Sequence, residues 1–194
     1  MKKPGTAMAV YAIYMVGMLL LNALIFITPV LEMQGNSAAP ALYTAFAPFC
    51  HQLTSRSLCI SAQGAITDCT PQNGVPSYSH AVVVHLDDYI LGYKFPVCSR
   101  DVAIYLAMLI GGILYPFLWK IETEEIPNKW FLVLALIPIA IDGTTQLFTL
   151  RESTNTLRLI TGAIAGFAIP FYLLPMLNMA AGNIRSYLPH SRKK

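Results

Sequence analysis

Four residues with metal-ligand side chains stand in two short stretches of the sequence. Cys50 and His51 are adjacent in "APFCHQ", and Cys98 and Asp101 are three residues apart in "FPVCSRD". Thiolates, imidazoles and carboxylates are the groups that bind tetrahedral zinc, so these residues predict a zinc site. A disulfide between Cys50 and Cys98, or two free thiols, would fit the same residues, and the three alternatives stay open.

A second set of polar groups lies in "DGTTQLFTLRESTNTLRLITG", residues 142–162, between two apolar runs. Asp142 and Gln146 share one helix face, because residues four apart are neighbours on a helix. An unpaired Asp142 carboxylate would be costly inside a membrane. We therefore expect Arg158, near the start of the next helix, to be its partner.

Three arginines are expected beside two helix N-termini. Ser99 can cap the helix that contains Arg100, and the "ST" pair after Arg151 can cap the helix that contains Arg158. Guanidinium groups beside exposed helix N-termini bind phosphate and carboxylate groups. The alternative is a buried Asp142–Arg158 pair that only joins two helices. The pattern predicts a polar pocket for an anionic ligand or lipid headgroup, lined by Arg100, Gln146, Arg151, Asn155 and Arg158.

Two further cysteines, Cys59 and Cys69, enclose the short segment "CISAQGAITDC". The segment contains Gly and Ser and has little apolar content with which to stabilise itself. An even number of cysteines on one side of a membrane is typical of disulfides in an oxidising compartment. We expect a local Cys59–Cys69 disulfide.

The elements that must position these residues are membrane-spanning helices. Of the 194 residues, 55% are hydrophobic and only 12% are charged, whereas about 25% are charged in a soluble domain. The charges fall between long apolar runs, each close to the roughly 20 residues that a span requires. We predict an all-α integral membrane protein of one domain, residues 1–194. Its four spans are residues 7–31, 102–119, 130–150 and 159–184.

The orientation follows from Lys and Arg, which concentrate on the cytoplasmic side. Basic residues precede the first span, flank the loop between the second and third spans, and follow the fourth. Both termini are therefore predicted to be cytoplasmic, and the cysteine-containing loop of residues 32–100 extracytoplasmic. The formal net charge of +3 is explained by this bias and requires no nucleic-acid partner. The predicted location is the cell membrane, with several passes.

Three motifs together resemble a prokaryotic family of membrane proteins defined only as a domain of unknown function. They are "CHQ", "PVCSRD" and "DGTTQL…RESTNTLRLITG", and the resemblance covers most of the chain between Cys50 and Gly166. In that family the second cysteine often begins a CxxC pair, which implies a metal or thiol site. Asp101 stands here in place of the last cysteine. Since aspartate also binds zinc, the departure weakens the implied metal chemistry without removing it.

The last two spans are also distantly similar to VanZ-like membrane proteins. The similarity implies a role in the cell envelope and contact with a lipid-linked ligand, and it carries no established reaction. The positions that match are Asp142, Gln146, Arg151, Asn155 and Gly162.

Several functions fit these patterns. The first is binding of an anionic ligand or lipid headgroup in the outer pocket. The second is a metal-dependent hydrolase or transferase acting on lipid, with zinc held by Cys50, His51, Cys98 and Asp101 and with Asp142 as general base. Thiol–disulfide exchange is disfavoured, because no CxxC motif is present to lower a thiol pKa. An accessory subunit that docks a membrane-protein partner is the remaining hypothesis.

Overall fold

A computed structural model of the protein describes residues 4–69, 79–86, 89–148 and 152–187. Among these residues, four helices are long and apolar enough to cross a membrane. Helices suit this environment because every backbone N–H and C=O in a helix interior finds a partner within the same segment. A short fifth helix, α2, follows the first. The helices are α1 (Pro4–Met33), α2 (Ala39–Phe46), α3 (Ser99–Leu118), α4 (Lys129–Phe148) and α5 (Asn155–Tyr187).

All four long helices begin before the predicted apolar spans, and in α3 and α5 the added first turn is polar. Helix α3 begins at Ser99, so Arg100 and Asp101 lie in its first turn as expected, and Cys98 takes the N-cap position that was predicted for Ser99. Helix α5 begins at Asn155 and not at residue 159. Its cap is Thr154, whose Oγ1 accepts the backbone N–H of Leu157 at 3.3 Å, as predicted for the "ST" pair. The polar first turns are helical because they pack against the loop region.

The loop region contains a small sheet, so the prediction of an all-α protein is wrong there. Its four strands pair antiparallel in the order β2-β1-β4-β3. The strands are short, and such segments give a weak sequence signal beside long apolar helices. They are β1 (Leu58–Ile60), β2 (Ile66–Asp68), β3 (Val83–Leu86) and β4 (Tyr89–Lys94).

The sheet is attached to the helices through a shared apolar cluster. Ile25 of α1 and Phe46 of α2 pack with Phe95 and Val97, which follow β4, and with Val102 of α3. Phe95 and Phe26 also make an edge-to-face ring contact with centroids 5.4 Å apart. The cluster therefore fixes the start of α3 relative to the loop region.

Helices α3 and α5 form the most extensive packing in the protein. Gly162 and Gly166 of α5 lie against the backbone of α3, where an added Cβ would come within 2.7 Å of Arg100 O and 2.4 Å of Ile104 O. Small residues allow two membrane helices to approach this closely. Helix α4 packs mainly on α5 and exposes most of its surface. The orientation of the helices in the membrane and the single-domain organisation stay predictions.

Candidate functional site

The polar residues singled out in the sequence meet where α3 and α5 begin and α4 ends. Asn155 holds the elements together at this point: its Oδ1 accepts Ser99 Oγ at 2.7 Å, and its Nδ2 donates to Ser57 O at 3.2 Å. Asn155 and Ser99 are both buried. Because the Asn155 amide oxygen and nitrogen both have protein partners, the residue is a structural connection between helix and loop. Its predicted contact with a ligand stays a prediction.

Asp142 pairs with Arg100 of α3, so the expected pairing with Arg158 is wrong. The Asp142 carboxylate is 3% exposed, and its Oδ2 accepts a hydrogen bond from Arg100 Nη2. The rotation of α3 about its own axis brings Arg100 to α4, and no sequence pattern reports that rotation. The role of Asp142 as a general base stays a prediction.

Arg158 contacts Gln146 instead. The Gln146 amide is assigned with its oxygen facing the arginines, because the opposite orientation would set its NH2 against their N–H groups. In this orientation Gln146 Oε1 accepts Arg158 Nη2 at 2.7 Å and Arg56 Nη2 at 3.0 Å. Arg56 also forms a longer ion pair with Glu152, at 3.4 Å. Gln146 therefore joins a buried and a partly exposed arginine.

The arginine cluster, defined as Arg56, Arg100 and Arg158 with Asp142 and Glu152, leaves polar atoms without partners. Arg158 is 2% exposed, and among the described residues its Nη1 has no hydrogen-bond partner. Arg100 Nε and Asp142 Oδ1 are also buried and also lack a hydrogen-bond partner among the described residues. Three guanidinium groups face two carboxylates, so one positive charge is in excess. The predicted site residue Arg151 lies outside the described residues.

Three of the four predicted metal ligands come together beside this cluster. The ligand atoms of Cys50, Cys98 and Asp101 all lie within 4.8 Å of one another. His51 is exposed and does not belong to this group, so the structure does not support the predicted four-residue set. Cys50 and Cys98 are free thiols, whereas Cys59 and Cys69 form the expected disulfide. Zinc binding itself stays a prediction at this point.

The Cys50 sulfur accepts several hydrogen bonds. The backbone N–H groups of Cys98 and Gln52 donate to it at 3.1 and 3.4 Å. Hydrogen bonding to Cys98 is the main reason why the pKa of Cys50 is lowered, and burial opposes it. The same contact raises the pKa of Cys98, with burial as the second cause. Cys98 Sγ also donates to Asp101 Oδ2 at 3.0 Å.

Three residues in or near the site were not predicted from the sequence. Arg56 lies in the short turn "TSRS", where no periodicity indicates which way its side chain points, and Glu152 is its partner. Lys94 is fully buried, and burial lowers its pKa to about 8. The sequence does contain an indication that Lys94 is buried. It is a lone charge between aromatic residues in "GYKFPVC", whereas lysines in solvent usually have polar neighbours.

Comparison with known proteins identifies relatives of unknown activity. The family described as "Predicted membrane protein (DUF2085)" matches residues 89–172. An uncharacterized protein of Methanocaldococcus jannaschii, MJ1492, is 37% identical over 172 residues, which cover 86% of this chain and 91% of that protein. An uncharacterized protein of Methanothermobacter thermautotrophicus is 43% identical over 78 residues, 40% of this chain and 68% of that protein. No solved structure gives a significant match.

These matches agree with the family resemblance found in the sequence motifs, and the VanZ-like resemblance stays a prediction. The matched region begins at β4 and ends within α5, so it includes Cys98, Asp101, Asp142 and Arg158. With its four apolar helices and its similarity along most of the archaeal protein, the chain belongs to this family of membrane proteins of unknown function.

Proposed function

We propose that the protein binds an anionic ligand, the phosphate or carboxylate of a small molecule or of a lipid headgroup, at the arginine cluster. The observation that carries the proposal is Arg158, a buried guanidinium whose Nη1 has no partner among the described residues. A buried donor without a partner costs about 1–3 kcal/mol, and more when it is charged. An anion with several acceptor oxygens would satisfy it.

The charges around Arg158 support an anion and not a cation. Arg158 interacts electrostatically with Arg56 and Arg100, which repel it, and with Cys98 and Glu152, which attract it. Helices α3 and α5 both begin at this cluster, and the positive ends of their dipoles add to the field. Repulsion among guanidinium groups is relieved when a bound anion lies between them.

We infer that a ligand would reach the cluster beside Arg56 and Glu152. Their side chains are 35% and 22% exposed, whereas Arg158 is buried. An ion pair this exposed contributes only about 0–1 kcal/mol, so it can open at little cost. The incoming anion would replace Glu152 as the partner of Arg56.

We place the site on the extracytoplasmic side. It lies at the end of α3 and α4 opposite the loop that contains Lys120 and Lys129, and basic loops favour the cytoplasm. The Cys59–Cys69 disulfide in the neighbouring sheet agrees with an oxidising compartment. The ligand would then reach the protein from outside the cell or from the outer membrane leaflet.

The test compares two variants that break the same surface pair, Arg56→Gln and Glu152→Gln. Binding would be measured on the purified full chain by calorimetry and by thermal shift, with inorganic phosphate, a phosphate monoester and an anionic phospholipid as probes. Arg56→Gln removes an attractive charge and Glu152→Gln removes a competing one. We expect affinity to fall about fivefold to tenfold in the first and to rise by a similar factor in the second.

Both variants lose the Arg56–Glu152 ion pair, and Arg56→Gln also loses the hydrogen bonds to Gln146. The melting temperatures of both unliganded variants are therefore measured beside the affinities, which separates binding from stability. Equal affinities in the two variants, or no binding of any probe by the unmodified protein, would contradict the proposal and favour a cluster that only joins helices. The relative response to phospholipid and to phosphate monoester distinguishes a headgroup from a soluble ligand. An enzyme acting on lipid and an accessory subunit stay predictions.

A further inference from the structure

Cys50, Cys98 and Asp101, here called the thiol–carboxylate triad, come from two separate parts of the chain. Cys50 lies in the loop after α2, and Cys98 and Asp101 are the N-cap and third residues of α3. We propose that the triad is a binding site for a thiophilic divalent cation of the zinc class. Its three ligands are not members of the arginine cluster, and the proposal does not rest on anion binding.

The geometry fits one ion. Two sulfurs on a tetrahedral zinc, with bonds of about 2.3 Å, lie about 3.8 Å apart. The three ligand atoms of the triad lie within 4.8 Å of one another, and Cys98 Sγ and Asp101 Oδ2 are 3.0 Å apart. Small side-chain rotations would bring all three to bonding distance of a common centre. The exposed His51 has no place in this set.

The triad is rich in hydrogen-bond acceptors. Cys98 Sγ lies 3.0 Å from Asp101 Oδ2, and the Cys50 sulfur lies within 4.8 Å of both atoms. Cys50 also accepts two backbone N–H groups, from Gln52 and Cys98. Backbone N–H groups that surround a sulfur stabilise it as a thiolate, the form in which cysteine binds metals. A cation at the centre would satisfy all three acceptors.

The backbone around Cys50 is shaped to make these contacts. Gln52 has φ of 53°, and it is the non-glycine residue with positive φ among the described residues. This conformation costs roughly 1–2 kcal/mol for a residue with a Cβ. The Gln52 side chain offsets part of that cost by donating to Tyr43 O and Pro96 O, at 2.7 and 3.0 Å. Strain held in place in this way is typical of functional sites.

The surrounding charges balance a metal complex. Two thiolates, one carboxylate and a divalent cation carry one net negative charge. Lys94 interacts electrostatically with Cys50, and Arg158 interacts with Cys98, so each thiolate has a cationic neighbour. Metal binding releases to solvent any proton that the two sulfurs still carry, because cysteine binds metals as the thiolate. Three protein ligands leave a fourth position for water or another ligand, as in catalytic and not structural zinc sites.

The experiment measures metal on the full chain, purified in detergent with a tag that lacks histidine. Elemental analysis after incubation with Zn²⁺ should give about one ion per chain. Co²⁺ should produce the absorbance of thiolate-to-cobalt charge transfer. Cys98→Ser and Asp101→Asn should each weaken binding about tenfold or more. His51→Ala is the matched control, since it removes a ligand-type residue beside Cys50, and it should bind like the unmodified protein.

A measurement on the unmodified protein covers the case in which the variants do not fold. Cys50 and Cys98 should react slowly with a maleimide in the presence of Zn²⁺ and rapidly after a chelator is added. The proposal fails if the reduced protein takes up neither Zn²⁺ nor Co²⁺, or if Cys98→Ser keeps full binding. It also fails if protein alkylated in native membranes contains a Cys50–Cys98 disulfide, because the two ligands are then bonded to each other.

Discussion

Lys94 places an amine inside the sheet region, where the surroundings favour its neutral form. The residue is fully buried, and its Nζ donates to Gln52 O at 2.6 Å and to His80 O at 3.1 Å. A neutral amine still offers two N–H donors, so deprotonation keeps both bonds and removes the cost of a buried charge. Burial accordingly lowers the pKa of Lys94 from 10.5 to about 8, with the nearby Cys50 opposing the shift.

The pKa of Lys94 predicts that stability rises with pH between about 8 and 10.5. In this window the unfolded chain binds a proton at Lys94 and the folded protein does not, so the free energy of unfolding increases with pH. Below pH 8 Lys94 is protonated in both the folded and the unfolded state, so its titration no longer changes the free energy of unfolding. We expect a rise of about 2–3 kcal/mol across the window. The measurement is chemical unfolding in detergent at a series of pH values.

Lys94→Met is the comparison for this pH profile. The variant should be less stable than the unmodified protein at every pH, because the carbonyls of Gln52 and His80 lose their donor. Its stability should nevertheless depend less on pH above 8. Two parallel profiles would show that the titration belongs to other groups, such as the Cys50 and Cys98 thiols.

At the scale of elements, the contact between α3 and α5 sets the geometry of both sites. Helix α3 carries Cys98, Arg100 and Asp101 at its start, and α5 carries Arg158. The relative position of α3 and α5 depends on Gly162 and Gly166, which face the α3 backbone one and two turns after Arg158. A side chain there would separate the helices and move Arg158 of α5 away from Arg100 at the start of α3.

Gly166→Ala should therefore destabilise the protein and weaken anion binding. The new Cβ would lie 2.4 Å from Ile104 O, a backbone atom that cannot move aside alone. Overpacking of this kind typically costs about 1–3 kcal/mol. The control is Gly17→Ala in α1, where an added Cβ meets nothing within 4 Å. Thermal unfolding of both variants checks the prediction, and equal melting temperatures would show that α3 and α5 have room to separate.

The elements differ in how far the sequence could predict them. The four spans were predictable because an apolar run of membrane length with at most one charge has few other structures available. The sheet was missed since β1 and β2 have only three residues each, too few to establish an alternation. The pairing of Asp142 also could not be predicted. Helical spacing shows which residues share a face, but only the packed α3 reveals that Arg100 faces α4.

The same limit applies to the candidate sites. Residue type alone indicated Cys50, Cys98 and Asp101, and the fold brought these three together. The fold leaves His51 outside this group of ligand atoms. Neighbouring residues in an extended loop point in different directions, so His51 is exposed while Cys50 faces the bundle. Arg56 joined the arginine cluster from a loop distant in sequence. Long-range contacts of this kind depend on the loop conformation, which local patterns do not encode.

At the scale of the whole molecule, the two candidate sites and the loop that connects α3 to α4 lie at opposite ends. The arginine cluster and the thiol–carboxylate triad lie where α3 begins and α4 ends. At the other end, Asn178 of α5 donates to Ile121 O and Thr123 O, at 2.7 and 3.1 Å. Tyr172 donates to Asn128 O at 2.8 Å, so α5 also holds the loop between α3 and α4. The two ends of the helices therefore differ, and their orientation decides which compartment would supply the proposed ligands.

Reporter fusions should show that the end with both sites faces outward. Alkaline phosphatase, which requires disulfides and an oxidising compartment, should be active when inserted after Gln63, an exposed residue between β1 and β2. A fluorescent protein at the C-terminus should fluoresce, since that terminus follows four spans and is rich in Lys and Arg. The control is alkaline phosphatase inserted after Thr123, in the loop between α3 and α4. This insertion should lie in the cytoplasm, and the enzyme should be inactive there. The reverse pattern would contradict the orientation and would place the Cys59–Cys69 disulfide in a reducing compartment, where such bonds are rare.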